Sequence, residues 1–329
     1  MFKKIETWIL YLTILLSLIF SIGFGVLVRQ ELVGSVKAGW ISKTALILSE
    51  IPVNLKSALA SNLKIEDRFP TLDGFNGTFN SEESYLLLSR YDGDLKEGFV
   101  ELIDLRNFEI LHTWNPDIDK FNKMIKQVDE FKYLERDLNN RRHMLYHPIV
   151  NNKGDLIFNA DKAPLRMINR CSNLVSQNNH DNFHHSVETD NSGNIWTSTH
   201  MYPQSLSKKR VGRNIVQEGG YFDDAIVKLS PDGEILYEKS ISQLLIENGM
   251  EIRLSMVGTN HEFQLDPIHI NDVQPVDADG LYWQKGDVFI SLGHQSMIIL
   301  FRPSTEEIIW KFDTHIFHQH DVDIINDHQ

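Results

Sequence analysis

The hydrophobic pattern of the chain begins with an unbroken apolar run. Thr7 to Val28 carries no charge and is dominated by Ile, Leu and Phe. As a helix this run would span roughly 33 Å, about the thickness of the hydrocarbon core of a bilayer. Lys3 and Lys4 precede it, which favours a cytoplasmic N-terminus. The pattern predicts an uncleaved anchor within residues 1–29. The alternative is a signal peptide cleaved near Ser21-Ile22-Gly23.

A second apolar pattern follows the anchor and has helical rather than continuous spacing. It consists of Val36, Trp40, Ile41, Ala45 and Leu48. Apolar residues three or four positions apart form one face of a helix, so a short amphipathic helix is predicted. Pro52 is expected to end it, because a proline inside a helix removes a backbone hydrogen bond. We interpret residues 30–74 as a stalk.

From about Phe75 the pattern changes to short β-rich runs separated by turns, so residues 75–329 are assigned to the main domain. The first runs are Tyr85–Arg90, Phe99–Leu105 and Phe108–Trp114. Many short strands with regular turns predict a sandwich, a barrel or a propeller. One interruption differs: apolar residues recur every three or four positions from Asp117 to Asn139. That spacing predicts an amphipathic helix inserted between strands.

Repeated units in the sequence favour one of these β architectures. Each unit has a histidine, a short strand, a polar turn and, where the chain continues, a second strand; the units begin at His147, His185, His269 and His318–His320. Two outer hairpins, Lys228–Tyr237 and Phe301–Trp310, end in an aromatic residue. Units of roughly 40 to 80 residues fit propeller blades with insertions. The predicted fold is therefore an all-β propeller preceded by a transmembrane helix.

A propeller would give the histidines of these units a common place. The innermost strand of each blade lines a central channel, so residues at one position of successive inner strands meet around its axis. Four histidines are predicted to converge there: His147, His185, His269 and His320. The sequence stops inside a unit that has only begun, so a C-terminally incomplete propeller is expected.

Charge and cysteine content remove several function classes. The formal net charge of −13 argues against a nucleic-acid partner, because a phosphate-binding surface needs positive charge. Cys171 is the single cysteine, so the chain has no internal disulfide and no cysteine-based zinc cluster. A phosphate-binding Gly-x-x-x-x-Gly-Lys loop does not occur in the sequence.

Three segments resemble motifs of one known family. Asp266–Val273 resembles the His-x-Asn-Ser segment of bacterial arylsulfate sulfotransferases. Ile290–Ser296 is similar to their Ser-x-Arg-His-Gln-Ser segment, and His318–Asp321 to their Gln-His segment. The resemblance runs from about His184 to the end of the chain and more loosely from about Phe75.

The resemblance implies a six-bladed propeller outside the cytoplasm. That location agrees with the single-span anchor in the inner (cytoplasmic) membrane, which the apolar run predicts independently. The resemblance also implies transfer of a sulfuryl group from an aryl sulfate to a phenol through a sulfohistidine, without a nucleotide donor. No cofactor and no metal are expected. By position, His320 would be the nucleophile, His269 and Asn271 would hold sulfate oxygens, and His185 would lie across the channel. His294 and His147 complete the set as substrate-binding candidates.

One departure from the family pattern bears on activity. Gly293 stands where the family has an arginine just before His294, and that cation should neutralise the sulfuryl group. Arg302, Arg213 and Lys209 are the candidates to replace it. Two other functions therefore stay open from the sequence. One is a non-catalytic ligand-binding or scaffolding propeller of the cell envelope, and the other is a metal site built from the histidine ring.

Overall fold

The computed structural model describes residues 6–32, 38–60, 74–75, 77–125, 128–206, 221–255 and 265–329. The chain divides into two compact units, of which one contains the two N-terminal helices and the other contains the sheets.

Two long helices make up the first unit. Helix α1 (Thr7–Leu32) has 26 residues and no buried side chain, and its length and composition suit either a membrane span or a signal sequence. Helix α2 (Trp40–Ala60) continues through Pro52, so the prediction that Pro52 ends this helix is wrong. A proline costs one backbone hydrogen bond, and the leucines and alanines among residues 53–60 are good helix formers that carry the helix onward.

The second unit is dominated by short strands. In the described part of the chain they are β1 (Tyr85–Asp92), β2 (Glu97–Asp104), β3 (Glu109–Trp114), β4 (Tyr146–Val150), β5 (Leu156–Asn159), β6 (Ala163–Ile168), β7 (Leu174–Thr189), β8 (Ile195–His200), β9 (Asp224–Leu229), β10 (Ile235–Ser240), β11 (Ile270–Pro275), β12 (Val288–Leu292), β13 (Met297–Arg302) and β14 (Glu307–Asp313).

All neighbouring strands pair antiparallel and in chain order. The described strands form sheets β1-β2-β3, β4 to β10, and β11 to β14. Strand β7 joins two four-stranded meanders, because Leu174 pairs with β6 and Thr189 pairs with β8. The predicted outer hairpins appear as β9–β10 and β13–β14.

These up-and-down sheets are the kind from which propeller blades are built. The predicted class, a mostly β fold of propeller type with an N-terminal apolar helix, is confirmed. The number of blades stays a prediction.

The insertion between β3 and β4 is not one helix, so this prediction is wrong. It contains α3 (Ile118–Asn122), a 3₁₀ turn (Asp129–Phe131) and α4 (Leu134–Asp137). Its apolar side chains enter two separate cores: Phe121 packs with the cluster around Trp114, whereas Phe131 packs with Ala160 and Ala163. A single straight helix could not fill both cores, so the chain turns between them.

A buried cation ties this insertion to the sheets. The Arg166 side chain on β6 is fully buried. Its guanidinium donates to Oδ1 of Asn122 at 2.7 Å and to Oε1 of Gln177 at 2.8 Å. Burial lowers the pKa of Arg166 to about 9, which is the expected direction for a cation taken out of water. A helix end and two strands are thereby joined at one residue.

After β10, the chain forms α5 (Ile241–Glu247), in which Ser240 caps the first turn by accepting a hydrogen bond from the Gln243 backbone N–H. A 3₁₀ turn (Glu251–Ser255) follows.

Candidate active site

A cavity of about 460 Å³ gathers the predicted histidines of the second unit. Among the described residues it is lined by Tyr146, His147, Asp161, His185, Ser186, His269, Asn271, His320 and Asp321. The structure thus brings together residues spread over more than half of the sequence. Their roles in chemistry stay predictions.

Three of these histidines have strained backbone conformations, which set the direction of their side chains. His147, His185 and His269 have φ values of 38°, 56° and 57°, in the left-handed region that non-glycine residues rarely adopt. The strand pairing slips beside each of them, after Tyr146, after His184 and after Ile270. A bulge re-aims a side chain and is common next to active sites. Such strain at three cavity histidines that lie beside bulges points to a functional constraint.

Backbone hydrogen bonds hold the inner strands side by side. The Val273 N–H on β11 donates to Oγ of Ser186 on β7 at 3.1 Å. In the same way the Val322 N–H donates to Oδ2 of Asp272 on β11 at 3.1 Å. In both cases a polar side chain of an inner strand accepts from the N–H of a valine in the following repeat unit, so Ser186 and Asp272 occupy equivalent positions.

This register corrects the predicted repeat. The residue before Ser186 is His185 and the residue before Asp272 is Asn271, so Asn271 is the equivalent of His185. His269 enters two residues earlier, and its predicted equivalence with His185 is wrong. The bulges and the left-handed backbone at both histidines offset the difference, since both side chains still line the cavity.

The histidine rings approach one another closely. The ring centroids of His185 and His269 are 4.7 Å apart, and those of His185 and His320 are 6.1 Å apart. His147 lies at the rim with Nδ1 3.7 Å from Oε1 of Glu188. A group the size of a sulfate would therefore meet several imidazoles at once.

The surroundings of His269 favour its protonated form. Burial opposes its protonation, but its Nδ1–H donates to Oδ2 of Asp266 at 2.6 Å, and this partner raises the pKa of His269 above its usual value. His294 stacks on the His269 ring at 4.3 Å, and its Nδ1–H donates to the Asp266 backbone carbonyl at 2.6 Å. His294, predicted to bind substrate, is thus placed against His269 and is not among the described lining residues.

In contrast to His269, His185 has surroundings that favour its neutral form. Burial, reinforced by the neighbouring His184 and His269, lowers the pKa of His185 to about 3, so its ring is neutral near neutral pH. Its Nδ1 lies 2.8 Å from Nδ1 of His184, and one of these nitrogens must donate while the other accepts. The Nδ1 of His185 is therefore occupied, and its Nε2 is the nitrogen left for a ligand.

Two carboxyl groups beside the cavity have suppressed charge. Burial, with Asp272 and Asp321 nearby, raises the pKa of Glu188 to about 8. Burial is also the main reason that the pKa of Asp272 rises to about 6. Each carboxyl that stays protonated removes one negative charge from the surroundings of an anionic substrate.

The segment that carries His320 is fixed through its neighbour Gln319. The Gln319 side-chain amide donates to the backbone carbonyls of Leu292 and Met297, both at 3.1 Å. Its own backbone carbonyl accepts from Nδ2 of Asn271 at 2.7 Å and from Oγ of Ser291 at 3.2 Å. His320 is held against the start of β11 by side chains that the sequence motifs contain.

Gly293 leaves room for Asn271. A Cβ added at Gly293 would clash with Nδ2 of Asn271 and would lie 3.2 Å from the His269 carbonyl oxygen. The glycine found in place of the family arginine is therefore coupled to the position of the Asn271 amide.

Of the proposed replacements for that arginine, Arg302 is the one that lies among the described residues. The Arg302 guanidinium forms two hydrogen bonds to the buried Asp287 carboxylate, at 2.7 and 2.8 Å, so it is engaged elsewhere. Arg213 and Lys209 lie outside the described residues.

Several site residues were missed by reading the sequence. Asp266 precedes His269 by three positions, and this spacing was a usable signal for a carboxylate–histidine pair. Tyr146 and Asp161 reach the cavity from the ends of β4 and β5, and a propeller register would be needed to find them.

The fold and the cavity define a class: a mostly β protein of propeller type whose inner strands gather histidines. The chain belongs to the arylsulfotransferase (ASST) family, whose model matches residues 147–329. No curated protein matches the chain.

Solved structures similar to the chain include a β-propeller domain and a lyase. One is the β-propeller domain of Myceliophteria thermophila Cps50 (Swd1), with 10% identity, a TM-score of 0.37, and coverage of 68% of this chain and 58% of that one. The other is a streptogramin B lyase, with 13% identity, a TM-score of 0.28, and coverage of 53% and 41%. The chain thus spans less than two thirds of the length of either structure.

Proposed function

We propose that the chain transfers a sulfuryl group from an aryl sulfate to a phenolic acceptor through a sulfated His320. The observation that carries the proposal is the meeting of His320, His269 and Asn271 around one cavity in a member of the arylsulfotransferase family. Family membership supports sulfotransferase activity in general, and the cavity supports the histidine route.

The chemistry needs two displacements at sulfur. In the first, an imidazole nitrogen of His320 attacks, an N–S bond forms, and the S–O bond to the donor phenol breaks. In the second, the acceptor oxygen attacks, the N–S bond breaks, and the acceptor proton is released. A neutral imidazole is a competent nucleophile, and positioning together with neutralisation of the oxygens accounts for most of the rate.

The other site residues have roles that follow from their charge. His269, with its raised pKa, is the imidazolium that faces the sulfate oxygens. The Asn271 amide lies beside them as a neutral donor. His185 stays neutral and is suited to hydrogen-bond a phenolic oxygen through Nε2.

One observation favours a non-catalytic binding protein as the second candidate. Among the described residues that line the cavity there is no lysine or arginine, although sulfuryl transfer benefits from fixed positive charge. A protein that binds an aryl anion without turning it over would need less of that charge.

A chromogenic aryl sulfate with a phenol acceptor tests the proposal against this alternative. Purified wild-type protein should release the chromophore and sulfate the acceptor, whereas His320→Ala should do neither. His328→Ala, at an exposed histidine, is the matched control and should retain activity. Binding of the aryl sulfate without turnover, by wild type and His320→Ala alike, would support the binding protein instead.

For location, we propose a single-pass protein of the cytoplasmic membrane with its main domain outside the cytoplasm. Lys3 and Lys4 before α1 support this orientation. A protease added to intact spheroplasts should degrade the main domain, and protection of that domain until lysis would reject the orientation.

A further inference from the structure

Three ligand-type side chains occupy consecutive strands behind the cavity wall. His184 lies on β7, His200 on β8 and Asp224 on β9, and they are 1%, 8% and 0% exposed. His200 and Asp224 are direct cross-strand partners, and Ser198, two residues before His200, pairs with His184. The three side chains therefore share one face of the same sheet.

The atoms that could bind a metal ion lie within 4.8 Å of one another. Oδ1 of Asp224 lies 3.1 Å from Nε2 of His200 and 3.4 Å from Nε2 of His184. Both Oδ1 of Asp224 and Nε2 of His184 are buried without a hydrogen-bond partner among the described residues. Buried polar atoms normally have partners, so these two atoms call for one.

We propose that His184, His200 and Asp224 bind a divalent transition-metal ion of the zinc type. Two imidazoles and one carboxylate form a common donor set for such ions, with bonds of about 2.0–2.2 Å. Ligand atoms at that distance around a tetrahedral ion are about 3.3–3.5 Å apart. The separations of 3.1 and 3.4 Å match that spacing, so the site needs little rearrangement to accept an ion.

The surroundings hold Asp224 as an outer shell holds a metal ligand, whereas Nδ1 of His200 is buried with no hydrogen-bond partner among the described residues. The other carboxylate oxygen of Asp224 accepts from the Ile270 backbone N–H at 2.9 Å. This bond fixes the orientation of the carboxylate and ties β9 to the start of β11. The ion would therefore link strands β7, β8 and β9 at the position where the start of β11 packs against them.

The site is also connected to the cavity. An ion on Nε2 of His184 leaves the proton on Nδ1, which lies 2.8 Å from Nδ1 of His185 and 3.3 Å from Oγ of Ser198. The shorter contact favours donation to His185. His185 then accepts at Nδ1 and carries its proton on Nε2, the nitrogen that remains for a ligand. The ion would thus set the tautomer of a cavity histidine without touching the substrate.

Without a metal, the same atoms would instead be linked by hydrogen bonds from neutral imidazoles to the Asp224 carboxylate. In that arrangement a proton lies between Asp224 and His184, and His185 has the opposite tautomer. This metal site is distinct from one built on the axial histidines, since none of its three ligands lines the cavity.

Metal analysis of the full-length chain, purified in detergent without added metal, tests the proposal. Wild type should hold about one zinc-type ion per chain. His200→Asn and Asp224→Asn should each lower the bound metal by at least about tenfold. His143→Asn changes another buried histidine, 1% exposed, that lies outside the cluster, and it should keep the ion.

A second measurement on wild type alone covers variants that fail to fold. Removal of the ion with a strong chelator should lower the melting temperature, and Zn²⁺ should restore it. Co²⁺ added to the stripped protein should give the visible d–d absorption of a low-symmetry nitrogen–oxygen site. Wild type that holds no ion and gains no Co²⁺ spectrum would overturn the proposal, as would equal metal content in wild type and the folded ligand variants. Neither result depends on sulfotransferase activity.

Discussion

At the scale of single residues, the geometry of the site depends on the space available beside the Asn271 side chain. The Asn271 amide bridges to Gln319, the residue before His320, and this contact requires the space that Gly293 leaves. A family arginine at position 293 could not be restored by simple substitution, because its Cβ would displace the amide. The missing cation and the position of Asn271 therefore belong to one arrangement.

We expect Gly293→Ala to lower kcat/KM for an aryl sulfate on the order of 100- to 1,000-fold, the range for losing a well-placed oxyanion donor. The double variant with Asn271→Ala should be no worse than Asn271→Ala alone, since both act through the same amide. Gly93→Ala is the control, because a Cβ there meets nothing within 4 Å. Additive losses in the double variant would show that Gly293 acts through another contact.

A second residue-scale prediction concerns pH. The raised pKa of His269 depends on Asp266, and its positive charge is present below that pKa and lost as the pH rises through it. The KM for an aryl sulfate should therefore rise on the alkaline side, where ionisation of Glu188 with its pKa of about 8 adds to the effect. His185, whose ring is neutral near neutral pH, and the carboxylates of Asp161 and Asp224, which also raise the pKa of His269, do not reverse this sign.

Asp266→Asn should move this rise in KM to lower pH by about one unit, because a carboxylate partner shifts a pKa by that order. Asp232→Asn, at a highly exposed aspartate in the β9–β10 turn, should leave the profile unchanged. KM profiles for wild type and Asp266→Asn that coincide would remove His269 as the cation.

At the scale of elements, the insertion between β3 and β4 is anchored by polar as well as apolar contacts. Phe121 and Phe131 bind it to two cores, and Asn122 accepts from the buried Arg166 guanidinium. The apolar spacing of the sequence predicted helix here but could not show the break, because the break depends on which core each aromatic enters.

Asn122→Ala should destabilise the sheet unit by about 1–3 kcal/mol, the cost of leaving a buried donor without its acceptor. Denaturant unfolding of the purified chain measures this difference. Asn107→Ala, at an exposed turn asparagine whose side-chain amide contacts only Glu109 among the described residues, should change the free energy of unfolding little. Equal effects of the two substitutions would mean that the Arg166 contact contributes nothing.

At the scale of the whole molecule, the sequence predicted well what depends on local pattern. The apolar run of α1, the strands around β1 to β3 and the outer hairpins all follow from periodicity and turn residues. The convergence of His147, His185, His269 and His320 followed from the repeat, although the register of His269 was two residues off.

The rest depends on register between strands. His184, His200 and Asp224 have no motif spacing along the chain, because cross-strand pairing in β7, β8 and β9 brings them together. The helix through Pro52 was missed for another reason: the flanking residues outweigh the cost of one lost hydrogen bond.

Peptide mass spectrometry after incubation with an aryl sulfate tests the central claim most directly. The account predicts an acid-labile, alkali-stable sulfuryl adduct on the peptide that contains His320, absent from His320→Ala and discharged by a phenol acceptor. His269→Ala should still form it, but more slowly, because the cation that faces the sulfate is lost. A sulfated peptide that contains another histidine, or turnover without any adduct on His320, would contradict the account.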